Sequence, residues 1–95
     1  MATLLKTDGT TEEISGELTL KRMQELVGGY IEMVRIGPNG AVLIVDEEGR
    51  LKAKLLNFEA TRLYRGEPAR HHGIIVGDAI RWVVRNMGLE SEVYE

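Results

Sequence analysis

Asn57, Thr61, Arg62, Tyr64, Arg65, Arg70 and His71 crowd into one short stretch of this chain. A guanidinium presents a planar fork of donors that suits phosphate. Asn and Thr add neutral hydrogen bonds, Tyr can stack on a base, and an imidazole can donate to an anion. Arg62 and Arg65 are three apart on an expected helix, so they share a face. Arg70 follows on a loop that begins at Gly66 and can fold back beside them. The spacing therefore predicts one anion-binding surface built from these seven residues. The same side chains have a plainer use: Asn57 as a helix cap, Tyr64 as packing, and the arginines in solvent.

The charge distribution points the same way. Residues 50–85 carry eight Arg and Lys against three acids, while residues 1–49 carry four against nine. The whole chain is acidic, at −3. A local basic segment in an acidic protein suits capture of an anion, or a charge-complementary contact between subunits. It does not suit general coating of nucleic acid.

Other chemistries find little support. Cysteine is absent, which excludes disulfides, thiolate metal sites and a cysteine nucleophile. Ser15 and Ser91 lie outside any nucleophile-elbow pattern. His71 and His72 are adjacent, so they point apart on an extended chain and lack the spacing of a shared metal site. Asp46-Glu47-Glu48-Gly49 lacks the spacing of a calcium loop and reads as a solvated turn. Gly28-Gly29 ends a helix where a phosphate loop would open one. Asp78, inside an apolar run, is expected to cap a nearby loop or bond Arg81. No enzyme, metal or cofactor is expected.

Ninety-five residues make one domain, here expected over 1–89, with 90–95 as a frayed acidic tail. Met1–Lys6 and Thr11–Ser15 flank Asp8-Gly9 as a hairpin. Thr19 caps a helix to Val27, stopped by the glycine pair. Tyr30–Ile36 and Ala41–Val45 flank Pro38-Asn39-Gly40 as a second hairpin, and Ala41–Val45 is apolar enough to be buried on both faces. Leu51, Ala53 and Leu55 alternate with Lys52 and Lys54, which predicts an extended stretch with lysines outward. Asn57 caps a helix over Phe58–Arg65. Ile74–Val84 is a long extended run interrupted at Gly77-Asp78. The expected fold is α+β: a strand-dominated domain, its sheet antiparallel or mixed, with two short helices. Aromatics are few, so self-association as a dimer or larger is expected, with Trp82 and an apolar edge of the last strand in the contact.

Three stretches carry a family likeness. They are Leu20–Val34 (LKRMQELVGGYIEMV), Asp46–Lys52 (DEEGRLK), and Asn57–Tyr64 (NFEATRLY) with Ile74–Ile80 (IIVGDAI). In order and spacing the chain resembles the small bacterial and phage proteins catalogued as domain of unknown function 3846. The loop Arg65–Gly73 departs from that pattern by being unusually basic, and the likeness is not traced into the tail after Trp82. The resemblance implies no catalytic residues. It implies small intracellular proteins, often of phages and mobile elements.

The expected function is therefore a non-enzymatic binding protein that captures a small anionic ligand, with a cyclic nucleotide defence signal as one candidate. The alternative is an inhibitor or adaptor that uses the acidic half on a host protein. No signal peptide is visible and the longest apolar run, Ala41–Val45, is too short to span a bilayer. A cytoplasmic location is expected, in the host if the chain is phage-encoded, with no membrane partner.

Overall fold

A computed structural model describes residues 2–37, 40–66 and 72–83. Five strands and two helices follow in the order β1 (Ala2–Leu5), β2 (Thr11–Ile14), α1 (Leu20–Val27), β3 (Ile31–Arg35), β4 (Ala41–Asp46), α2 (Phe58–Arg65) and β5 (Ala79–Val83). The strands form one antiparallel sheet in the order β2-β1-β5-β4-β3. This is the expected α+β class. Of the tail at 90–95, and of Pro38 and Asn39 in the second hairpin, the described residues say nothing, since these positions lie outside them.

Local sequence explains the elements. Gly9 takes φ +91° in the first hairpin, and Asp8 Oδ1 accepts from the Thr10 N–H at 2.9 Å. Thr19 accepts from the Arg22 N–H at the start of α1, and Gly28 closes it at φ +86°. Gly29 serves a different purpose: a Cβ there would lie 2.5 Å from Lys52 Nζ and 2.9 Å from Asp46 Oδ1. Only glycine lets these groups approach the helix end so closely.

Alternation along the strands divides the core in two. Leu5, Leu43, Val45 and Ala79 face α2, with Ile36, Ala60 and Ile75. Ala2, Leu4, Ile44 and Ile80 face α1, with Met23 and Val27. Strand β4 is buried on both faces, as its unbroken apolar run requires.

Asn57 ties the α2 layer together. It is wholly buried, and its side-chain oxygen accepts the Ala60 N–H at 3.0 Å. Its amide donates to Leu5 O and to Gly77 O, each at 2.9 Å, and its own N–H reaches Ile75 O at 2.9 Å. One residue thus caps α2 and fastens it to the ends of β1 and of the segment before β5. Thr61 adds to this tie by accepting the Ile75 N–H at 2.9 Å.

Three expectations are corrected. Leu51–Leu55 is not extended. It closes a run of turns in which the Lys52 N–H reaches Glu48 O and the Lys54 N–H reaches Gly49 O, with Ala53 at φ +55°. Its leucines are outside, at 86% exposure for Leu51 and 72% for Leu55, and its lysines turn inward. Asp46, expected in a solvated turn, is buried, although Glu47 and Glu48 are exposed. The last strand offers no edge for assembly, because β5 lies between β1 and β4, with Trp82 half-buried beside the α1 core. The interruption at Gly77 is real: φ is +82°, and a Cβ would meet Lys54 Cδ at 2.9 Å. Asp78 caps a loop, accepting the Thr7 N–H at 3.0 Å.

Replacing Asn57 by alanine removes a helix cap and strands two carbonyls in the interior. The expected loss is about 2–4 kcal/mol, read as a lowered urea midpoint. A loss of a few tenths would mean that the amide is dispensable.

Candidate functional site

The cleft with the most varied chemistry lies on the α2 side of the sheet. It holds about 290 Å³ and is walled by Glu32 and Val34 of β3, Glu47 and Arg50 after β4, Tyr64 of α2, and Ile74. Guanidiniums brace the segment at residues 72–74, which leads into this lining. Arg50 donates to Ile74 O at 3.1 Å. Arg65 donates from Nε to Gly73 O at 3.0 Å and from Nη2 to His72 O at 3.4 Å. Gly73 is held between Arg50 and Tyr64: a Cβ there would sit 3.4 Å from each of their nearest atoms. Carbonyl oxygens hold both guanidiniums in place without cancelling their charge. Among the described residues neither Arg50 nor Arg65 has a carboxylate partner.

The lining also holds two exposed carboxylates. Glu32 stands opposite Val45 in the β3–β4 ladder, and the Glu47 N–H reaches Tyr30 O at 2.8 Å. Residues 45 and 47 lie on one face, so Glu32 and Glu47 are diagonal neighbours on that face. Both side chains are exposed. Neither has a cationic partner among the described residues.

The seven residues nominated by the sequence do not share one surface. Asn57 is turned wholly inward, with its amide committed to the tie described above, and Thr61 Oγ1 is engaged with Ile75. Arg62 places its fork on Glu59, with Nε to Oε1 at 3.1 Å and Nη2 to Oε2 at 2.5 Å. That fork holds the Glu59 carboxyl below its usual pKa. Tyr64 lines the cleft, and Arg65 bonds Gly73 O, one residue before the lining residue Ile74. Arg70 and His71 lie outside the described residues. Sequence reasoning counted Arg50 among the basic residues without placing it at the site. Its signal was local, a cation directly after an acidic turn, but only the fold brings it opposite Tyr64.

Beneath this wall lies a buried charge. Asp46 ends β4 with its side chain 1% exposed, and accepts from Lys54 Nζ at 2.6 Å and Lys52 Nζ at 2.9 Å. It also accepts the Glu48 N–H at 2.9 Å. Burial pushes its pKa up, but the hydrogen bonds from Lys54, Lys52 and the Glu48 N–H outweigh burial and bring it to about 2. The lysines continue to the end of α1, where Lys54 donates to Val27 O at 2.6 Å and Lys52 to Gly28 O at 3.0 Å. Two charges of the basic segment are thus spent inside the fold.

A second hollow of about 420 Å³ opens between the end of α1, Lys54 and Asp78. Its ionic groups are already committed, Lys54 to Asp46 and Val27 O, and Asp78 to the Thr7 N–H. Among the described residues no three His, Asp or Glu side chains gather as a metal site, and no helix is long and apolar enough to cross a membrane.

These features define a small α+β domain: one antiparallel sheet between two short helices, with a mixed-charge cleft on the α2 side. The chain belongs to the family described as domain of unknown function 3846, whose model matches residues 1–87. No curated protein and no solved structure matches it.

The Asp46 pKa gives stability a defined acid limb. A carboxyl lowered from 3.8 to about 2 on folding stabilises the native state above pH 4. That contribution, roughly 2 kcal/mol, is lost as the pH falls through this window. Asp46→Asn is expected to be less stable than wild type at pH 7. The gap should narrow from pH 4 to pH 2.5, in urea midpoints measured at each pH. A gap that stays constant would show that the ion pairs contribute nothing.

Proposed function

We propose that this protein is a non-enzymatic binder that captures a small anionic ligand of nucleotide size in the cleft beside Arg50, Tyr64 and Arg65. The observation that carries this reading is a pair of guanidiniums held in place by backbone carbonyls, on and beside the wall of a concave site. A cation already oriented, with no carboxylate partner among the described residues, loses little freedom when an anion arrives. Tyr64 offers a ring for a base to lie against. The volume stands at the small end of ligand pockets, roughly 300 Å³ and upward, which favours a mononucleotide, linear or cyclic. Arg70 and His71, which lie outside the described residues, belong to the same proposal. In a phage setting such a protein would act by sequestering a nucleotide signal, and this role rests on analogy with the family's setting.

One feature favours the second reading, an inhibitor or adaptor of a host protein. Among the described residues β2 is an edge strand, and it presents Glu12 and Glu13 to solvent. An acidic edge repels its own copies and suits a basic partner.

Calorimetry with a cyclic mononucleotide, a linear mononucleotide and a cyclic dinucleotide tests the leading reading. Charge-assisted hydrogen bonds to phosphate are each worth about 1.5–3 kcal/mol, so Arg50→Ala and Arg65→Ala should each weaken binding about tenfold or more. Lys21→Ala, on the exposed side of α1, should leave it unchanged. Absence of binding by wild type removes the nucleotide reading, and equal binding by all variants moves the site elsewhere.

Self-association is part of the same proposal. Among the described residues β5 lies in the middle of the sheet, and the edge strands are β2 and β3. Of these, β3 carries the half-exposed Met33, and Tyr30, just before it in the chain, is 67% exposed. Sedimentation at tens of micromolar, on the order of a weak dimer's working range, should show a dimer or larger. A monomer there overturns it.

A further inference from the structure

We infer that two copies of this protein pair through β3, antiparallel and centred on Met33, so that one sheet continues into the other. The inference rests on the self-association proposed above and names its surface.

Among the described residues no strand pairs with the outer side of β3. The Ile36 N–H reaches Ala41 O at 3.1 Å, and the Glu47 N–H reaches Tyr30 O at 2.8 Å. Both bonds keep the register that sets Ile31 opposite Asp46 and Arg35 opposite Val42, so the ladder runs without a bulge. Bonded and non-bonded pairs alternate along an antiparallel ladder. Residues 30, 32, 34 and 36 therefore bond towards β4. Ile31, Met33 and Arg35 turn their N–H and C=O groups to the outer edge. A bulge, a proline or a lysine blunts such an edge, and Ile31–Arg35 contains none of them.

Charge separates the two edges of the sheet. β2 carries Glu12 and Glu13 and no base, so two β2 strands brought together repel. β3 carries Glu32 and Arg35 and is neutral. Identical chains most often close about a two-fold axis. An axis normal to the sheet keeps every side chain on its own face, so only residues of like parity can stand opposite each other. With Met33 against Met33 of the second copy, Ile31 of each copy meets Arg35 of the other. All the outward groups of β3 are then bonded, and the half-exposed Met33 is covered. A shift one way sets Glu32 against Glu32. A shift the other way leaves Ile31 without a partner inside β3. The cost of the chosen register is one diagonal between the two exposed Glu32 side chains. Glu32 and Val34 also line the cleft, and here Glu32 of each copy stands opposite Val34 of the other. The two clefts thus adjoin on one face of a continuous sheet.

The chain has no cysteine, so a single introduced thiol reports its own neighbour. A bonded antiparallel pair holds its Cα atoms about 5.5 Å apart, within the span of a disulfide. The test compares Met33→Cys, Arg35→Cys and Glu12→Cys under mild oxidation on non-reducing gels, with sedimentation of wild type and Met33→Lys alongside. These side chains are exposed, so the variants should fold, as thermal melts would confirm. Met33→Cys is expected to give a disulfide-linked dimer. Arg35→Cys is expected to stay unlinked, because its two thiols lie at opposite ends of the paired strands, and so is Glu12→Cys on the other edge. Met33→Lys, which sets two cations together at the axis, should be a monomer where wild type is a dimer. Equal crosslinking at all the positions, or at Glu12→Cys alone, overturns the inference. So does a dimeric wild type in which Met33→Cys stays unlinked or Met33→Lys still pairs, and self-association then stands through another surface. A monomeric wild type removes both.

Discussion

A carboxylate that water cannot reach ends β4, and much of the chain around the cleft is arranged to satisfy it. Asp46 closes the alternation of Val42 and Ile44 on the α1 side of the sheet. An ionised group left alone there would cost several kcal/mol. Two lysines answer it, and to deliver them the chain must coil through residues 47–54 with Ala53 in the left-handed region. The coil in turn leaves Leu51 and Leu55 in solvent. It also sets Arg50 beside Ile74. The lysines then reach the carbonyls at the end of α1, where positive charge is favoured. One buried charge thus couples β4, the turns after it, the end of α1 and one wall of the cleft.

A second constraint holds the other wall. Helix α2 has only eight residues, too few to be stable alone. Asn57 fixes its start to the ends of β1 and of the segment before β5, and Ala60 and Leu63 pack towards the sheet. That position decides where Tyr64 and Arg65 emerge. The last turn of α2 and the coil after β4 approach the same segment, residues 72–74, from two sides. The cleft is the space left between two structural solutions, one for a buried carboxylate and one for a short helix.

The basic segment therefore divides by use. Lys52 and Lys54 neutralise the interior, and Arg62 is matched by Glu59 on the helix surface. Arg50 and Arg65 are held by carbonyls and have no carboxylate partner among the described residues. A net charge counted along a sequence cannot distinguish these cases, because the count has no knowledge of which carboxylates the fold brings near.

The sequence by itself determined the elements whose signals are local. Glycine at Gly9 and Gly28, caps at Thr19 and Asn57, and the apolar run of Ala41–Val45 each specify a conformation through their immediate neighbours. From these the two helices, both hairpins and the α+β class follow, together with the family likeness. The tertiary structure decided what depends on distant partners. It placed β5 between β1 and β4, which removed the edge expected for assembly. It turned Leu51–Leu55 inside out, because alternation predicts a strand only where no buried charge competes for the lysines. It put Asn57 in the interior, engaged Thr61 with Ile75, and gathered Arg50, Glu32 and Tyr64 around one cleft. A side chain's role is fixed by the groups it meets, and for these residues the decisive groups lie far away along the chain.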